Sequence, residues 1–158
     1  MSIAVLNTDS TRSPISEGRL AALVDIQGAA LRDEGTPGRA NRLALLRMLD
    51  TQLVRHTSEL LKAIQSDFVS RSLIETWLYD LRPVCRMLRQ VCRRLRAAVG
   101  VGRVLGAAAA SRIDDGHSIG VTGFVPAWHF PVAQSLVPVV NAIASGHRMA
   151  MALPHQTP

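Results

Sequence analysis

Aromatic side chains are scarce in this sequence: only six of its 158 residues are Phe, Trp or Tyr. A core must therefore be built from Leu, Val, Ile, Met and Ala, a composition that suits helices. Lysine is nearly missing as well. Lys62 is the only one, so arginine carries almost all the positive side of a net charge of +6. Nucleic-acid readers usually interleave basic residues with aromatics or glycines for stacking and close approach, and Arg86, Arg89, Arg93, Arg94 and Arg96 have no such company. Nucleic acid is not the expected partner, and compositional bias is the simpler source of the charge. No apolar run approaches the ~20 residues of a membrane span. The first residues, MSIAVLNTDSTRSP, show neither a basic n-region nor a long apolar h-region, so no signal peptide is expected. Cysteine is limited to Cys85 and Cys92. On one helix they would lie about 10 Å apart at 1.5 Å per residue, too far for a disulfide. They read as reduced core thiols, which fits a cytoplasmic protein.

Chemical signatures are also few. His117, His129, His147 and His155 match no short metal-binding spacing and have no paired acidic ligands, so no metal is expected. Ser118, Ser135 and Ser145 do not sit in a nucleophile elbow. The pair Gly120-x-x-Gly123 is too short for a phosphate-binding fingerprint.

What is present is ordinary globular composition, 47% hydrophobic and 19% charged, in a chain long enough for one domain. Residues 1–15 read as a flexible leader, 16–100 as a helical region, 101–118 as a hairpin or linker, and 119–158 as a β-α-β unit. A first helix begins at Ser16, with Glu17 favouring the dipole, and ends near Glu34-Gly35. Thr36-Pro37-Gly38 breaks the chain. Leu43, Leu46, Leu49, Leu53, Leu60, Leu61, Ile64 and Phe68 then recur at helical spacing, in one long helix or in two if Thr57 or Ser58 caps the second. From Ser72 to Val99 an apolar stripe of Ile74, Leu78, Leu81, Cys85, Leu88, Cys92 and Leu95 opposes an arginine face. Trp77 is expected near that stripe, in the core, and Pro83 is expected to kink or restart the helix.

After a turn at Asp114-Asp115-Gly116, residues 118–125 read as a buried strand. Pro131 is placed at N1 of a helix that runs to Ser145 and stops at Gly146, and residues 148–153 read as a second strand. Strand–helix–strand implies a parallel pair, and a parallel sheet is normally larger than two strands. The expected fold class is therefore α/β: N-terminal helices followed by the first β-α-β unit of an incomplete, Rossmann-like domain. Trp128, at a strand's carboxyl end, is placed to line a cleft.

Residues 119–158 resemble the first dinucleotide-fold unit of the aldehyde dehydrogenase superfamily. Gly120, Gly123, Trp128, Phe130, Pro131, Pro138, Gly146, Thr157 and Pro158 fall in step with that family's pattern. Upstream, the segment from Ala63 to Phe68 and the segment from Arg71 to Thr76 resemble a second family stretch, and the flavour is closest to coniferyl-aldehyde-type dehydrogenases. The resemblance implies NAD or NADP as cofactor, oxidation of an aldehyde to an acid, and oligomers of dehydrogenase subunits. It places His129 at the position of the asparagine that steadies the oxyanion, and Val125, Trp128, Ala152 and His155 at cofactor-binding positions. It also places the family's nucleophilic Cys and general-base Glu beyond Pro158. The side chains depart from the pattern at several of these positions. His129 replaces the asparagine amide, and Ala152 and His155 stand where the family's Lys and Glu hold the ribose hydroxyls and cannot reproduce those charge-assisted bonds. The chain alone is expected to be a truncated, inactive relative. The alternative reading is a non-catalytic module that binds a dehydrogenase subunit or an acidic partner through its Arg-rich helix.

Overall fold

The computed structural model describes residues 3–7, 17–68, 71–105 and 120–153. Helix α1 (Glu17–Glu34) ends where expected, at Gly35, whose φ of 68° lies in the left-handed region that lacks a penalty only for glycine. The next apolar run forms two helices, α2 (Arg39–Arg55) and α3 (Thr57–Asp67). The break falls at His56, and Thr57 does not cap: its hydroxyl donates back to the Leu53 carbonyl at 2.8 Å. Its neighbour His56 instead pairs Nδ1 with the Glu59 carboxylate at 2.7 Å.

The third helical stretch is α4 (Leu73–Thr76), a π-helical turn (Trp77–Leu81) and α5 (Arg82–Leu105). Ser72 caps it by accepting the Glu75 N–H at 3.0 Å. In the π turn the Arg82 N–H reaches back five residues to the Trp77 carbonyl. Pro83 follows at once and has no N–H to give. The disturbance expected at Pro83 thus takes the form of one extra residue just ahead of it.

That extra residue rotates everything upstream by roughly 100° about the helix axis, which overturns two expectations. Ile74 leaves the apolar stripe and is 78% exposed, and Trp77, expected in the core, is 47% exposed. From Leu81 onward the stripe holds: Leu81, Val84, Leu88 and Leu95 are buried, and Cys85 and Cys92 are half-buried and unbonded. Helix continues to Leu105, past the expected boundary at residue 100. The remainder of the 101–118 segment, with its Asp114-Asp115-Gly116 turn, lies outside the described residues.

Strand β2 (Val121–Phe124), helix α6 (Pro131–Ser145) and strand β3 (Arg148–Leu153) form the expected β-α-β unit, with β2 and β3 paired in parallel from Val121↔Arg148 to Phe124↔Met151. Pro131 occupies the first turn of α6. A third strand corrects the expectation of a loose leader: β1 (Ile3–Asn7) lies parallel on the other edge of β3, from Ile3↔Met149 to Asn7↔Leu153, so the order is β1-β3-β2. β3 is thereby hydrogen-bonded on both sides, as a buried central strand requires. The rest of the leader, residues 1–2 and 8–16, is outside the described residues.

The fold is α/β with its helices mostly N-terminal. One core joins Leu43, Leu46 and Leu53 of α2, Val84 and Leu88 of α5, Val139, Val140 and Ile143 of α6, and Met149 and Met151 of β3. Among the described residues no helix is long and apolar enough to cross a membrane.

Helix α6 is terminated by a double bond pattern. The Gly146 N–H donates to Ile143 at 3.2 Å and the His147 N–H to Ala142 at 2.9 Å, with Gly146 at φ 79°. A Cβ added at Gly146 would sit 2.5 Å from Thr36 Cγ2. Left-handed strain of ~1–2 kcal/mol for a non-glycine residue adds to that overlap. Gly146→Ala is expected to lower unfolding free energy by about 2–3 kcal/mol, read as a lower urea midpoint at unchanged slope.

Candidate functional site

The segment Val125–Phe130 joins β2 to α6 at the carboxyl end of the parallel pair, where α/β folds gather ligands. Phe68 at the end of α3 and Arg71 ahead of α4 come to meet it. The Trp128 and Phe68 rings stack nearly parallel, 8° between planes and 5.8 Å between centroids. The Arg71 guanidinium lies 4.3 Å from the Phe68 centroid and 4.9 Å from that of Phe130, and its Nη2 donates to the His129 carbonyl. Two segments 58 residues apart are thereby locked by stacking, cation–π attraction and a hydrogen bond.

Below this cluster lies Asp80, on the π turn and wholly buried. Its Oδ1 accepts the Ala133 N–H at 2.5 Å and its Oδ2 the Val132 N–H at 3.4 Å. A carboxylate from another helix thus serves the first orphan amides of α6, where negative charge also suits the helix dipole. Burial pushes the Asp80 carboxyl above its ordinary value, against the two amide bonds and the positive fields of Arg71 and His129, which pull it down. The other end of α6 has the opposite charge. Arg42 of α2, also buried, donates from Nη1 to the Ala144 carbonyl at 2.6 Å. Helix α6 is therefore held by an anion at its N-terminus and a cation at its C-terminus. With Val132 and Ala133 already serving Asp80, those amides are not free to cradle a ligand anion.

The residues singled out in the sequence fall as follows. His129 is exposed, its ring edge-on to Trp128 at 6.3 Å and angled 65° against Phe130 at 5.1 Å. Val125 is 76% and Trp128 50% exposed, both beside β2's carboxyl end. Ala152 is half-buried on β3 and presents only a methyl group. His155 lies outside the described residues. Cys85 and Cys92 stand on α5, and burial, then the Asp50 charge, pushes both thiols up. That is the reverse of what a thiolate nucleophile needs. Among the described residues no three His, Cys, Asp or Glu side chains gather as a metal site. Sequence reasoning missed Asp80 and the closure of Arg71 over Phe130. Asp80 had a signal: it stands four residues before Val84 and eight before Leu88, on the buried line.

Comparison with known proteins bears on this geometry. Over 145 residues the chain is 28% identical to a probable coniferyl aldehyde dehydrogenase of Pseudomonas aeruginosa, covering 89% of this chain and 30% of that protein. Over 142 residues it is 28% identical to a probable coniferyl aldehyde dehydrogenase of Caulobacter vibrioides, covering 84% of this chain and 29% of that one. The likeness is to aldehyde dehydrogenases. The chain spans about 30% of the length of these curated relatives. No family model matches, and no solved structure matches.

Proposed function

We propose that this chain corresponds to the N-terminal portion of an aldehyde-dehydrogenase-like protein, with β2, α6 and β3 as the opening unit of a dinucleotide-binding sheet. The observation that supports this most is the convergence of two segments that resemble the family separately. Phe68 and Arg71 come from one, Trp128 to Phe130 from the other, and they interlock at the carboxyl end of β2. The likeness to the two probable coniferyl aldehyde dehydrogenases supports the same reading. Such enzymes oxidise an aldehyde to an acid, with NAD or NADP as hydride acceptor. On this reading His129 occupies the oxyanion-stabilising position, where its imidazole has an N–H to donate. Val125 and Trp128 flank the cofactor side.

The residues present do not fit the cofactor's ribose half-site. The methyl of Ala152 has no donor or acceptor for a hydroxyl. The half-buried thiols Cys85 and Cys92 supply no nucleophile. The chain by itself therefore leaves aldehydes unoxidised. The check is purified chain with NAD or NADP and a panel of aromatic and aliphatic aldehydes, followed by NADH absorbance. A flat trace is expected, with no saturable NAD binding by calorimetry. Turnover abolished by Cys85→Ser or Cys92→Ser would overturn the proposal.

A further inference from the structure

Helix α5 contains arginines and no Asp or Glu. Arg82, Arg86, Arg89, Arg93 and Arg96, spaced four, three, four and three residues apart, share one face, and all five are exposed. Among the described residues none of the five makes a salt bridge or a side-chain hydrogen bond. Like charges at i,i+3 and i,i+4 repel; Asp50 of α2 is the acidic group whose field reaches this helix, at Cys85 and Cys92, and it forms no salt bridge with any of the five.

The π turn adds an apolar head to the same row. It brings Trp77 round so that Arg82 lies 5.9 Å from its ring centroid, and Ile74 sits one turn further back, 78% exposed. The result is a straight stripe, two apolar side chains followed by arginines over about 21 Å at 1.5 Å per residue.

We propose that this stripe docks an acidic helical segment of a protein partner, one carrying Glu or Asp at the same four-three spacing and apolar residues at one end. The inference is independent of the dehydrogenase reading. Charge complementarity requires an anion, and the periodicity matches a second helix laid alongside, as facing charged rows do in coiled coils. Arginine forks bind carboxylates in pairs. A lipid surface fits less well. Membrane-lying helices insert their apolar face, and in α5 that face (Val84, Leu88, Leu95) is already buried in the core. Single-stranded nucleic acid is bound in grooves with successive stacking rings, whereas this stripe is one helix face with one ring at its end.

The test uses the full chain and a fluorescein-labelled, alanine-based helical peptide with Glu at four-three spacing and two leucines at one end. Saturable anisotropy that weakens with salt is expected. Binding should be lost in Arg86→Gln/Arg93→Gln and reduced in Ile74→Ser/Trp77→Ser, with helix content by circular dichroism unchanged because every altered side chain is exposed. Arg89→Glu should abolish binding, since it sets a carboxylate in the middle of the arginine row. Equal binding of a peptide with the same residues scrambled off one face would overturn the proposal. So would tighter binding of oligo(dT) or of phosphatidylserine vesicles, and so would unchanged affinity in the double Gln variant.

Discussion

Asp80→Ala should destabilise the fold by about 2–4 kcal/mol, because it strands the buried N–H groups of Val132 and Ala133 at ~1–3 kcal/mol for each lost acceptor. The Val132 bond is long at 3.4 Å and contributes the smaller share, and the 2.5 Å Ala133 bond the larger. Relief of the buried charge offsets part of the loss, so Asp80→Asn is the informative comparison. Its amide oxygen can still accept from Ala133 and its size is the same. Less than half the alanine cost is therefore expected in urea unfolding.

The pH dependence of wild type relative to Asp80→Asn follows from the direction of the shift. Burial, the largest cause, raises the Asp80 carboxyl above its unfolded value, so the folded state holds this proton more tightly than the unfolded one. Stability contributed by the group is then fully present below the ordinary carboxylate value and is lost as pH rises through the raised one. Wild type should lose stability relative to Asp80→Asn over that window and run parallel to it above. A wild-type advantage that grows with pH would show instead that the amides and Arg71 outweigh burial.

Much of the scaffold was legible because its signals are local. Gly35, Pro131 and Gly146 mark helix ends by backbone geometry alone, and the Leu81-to-Leu95 stripe repeats without interruption. What escaped depends on distant partners or on one residue of register. Strand β1 is five residues whose pairing partner lies nearly the whole chain away, and no local pattern distinguishes it from a leader. Ile74 and Trp77 were misplaced because the stripe was extended straight through the π turn. Asp80 and Arg42 stand on otherwise apolar lines of their helices, where a charge signals a buried partner, but that partner is the end of α6 and cannot be read from α2 or the π turn. Of the candidate site, Trp128 and His129 were visible as a motif. Their support by Phe68 and Arg71 needed three dimensions.

Arg148 makes the second large prediction, and its sign is less intuitive. It opens β3 with no exposed side-chain surface, and its Nη2 meets Glu34 at 2.7 Å and the Ala30 carbonyl at 3.1 Å, tying α1 to the sheet. Nη1 lies 3.5 Å from Gln27 Oε1. Glu34 itself is 58% exposed. The two partners are therefore unequal. Glu34→Ala leaves a buried guanidinium with only neutral acceptors, the situation in which breaking a buried pair costs ~3–5 kcal/mol. The surviving bonds to Ala30 and Gln27 put the expectation at the lower end, about 3 kcal/mol. Arg148→Met removes the buried charge and keeps an unbranched chain in its place, while Glu34 stays in contact with water. Its cost should be smaller, about 1–2 kcal/mol for the unserved Ala30 carbonyl. The double variant should cost less than the sum of the two single ones, because each single variant already breaks the same Glu34–Arg148 pair. Measured by urea unfolding as a double-mutant cycle, Glu34→Ala should be the worse of the two single variants. If Arg148→Met proved worse than Glu34→Ala, the tie between α1 and β3 would rest on the packing of the arginine stem and not on its charge.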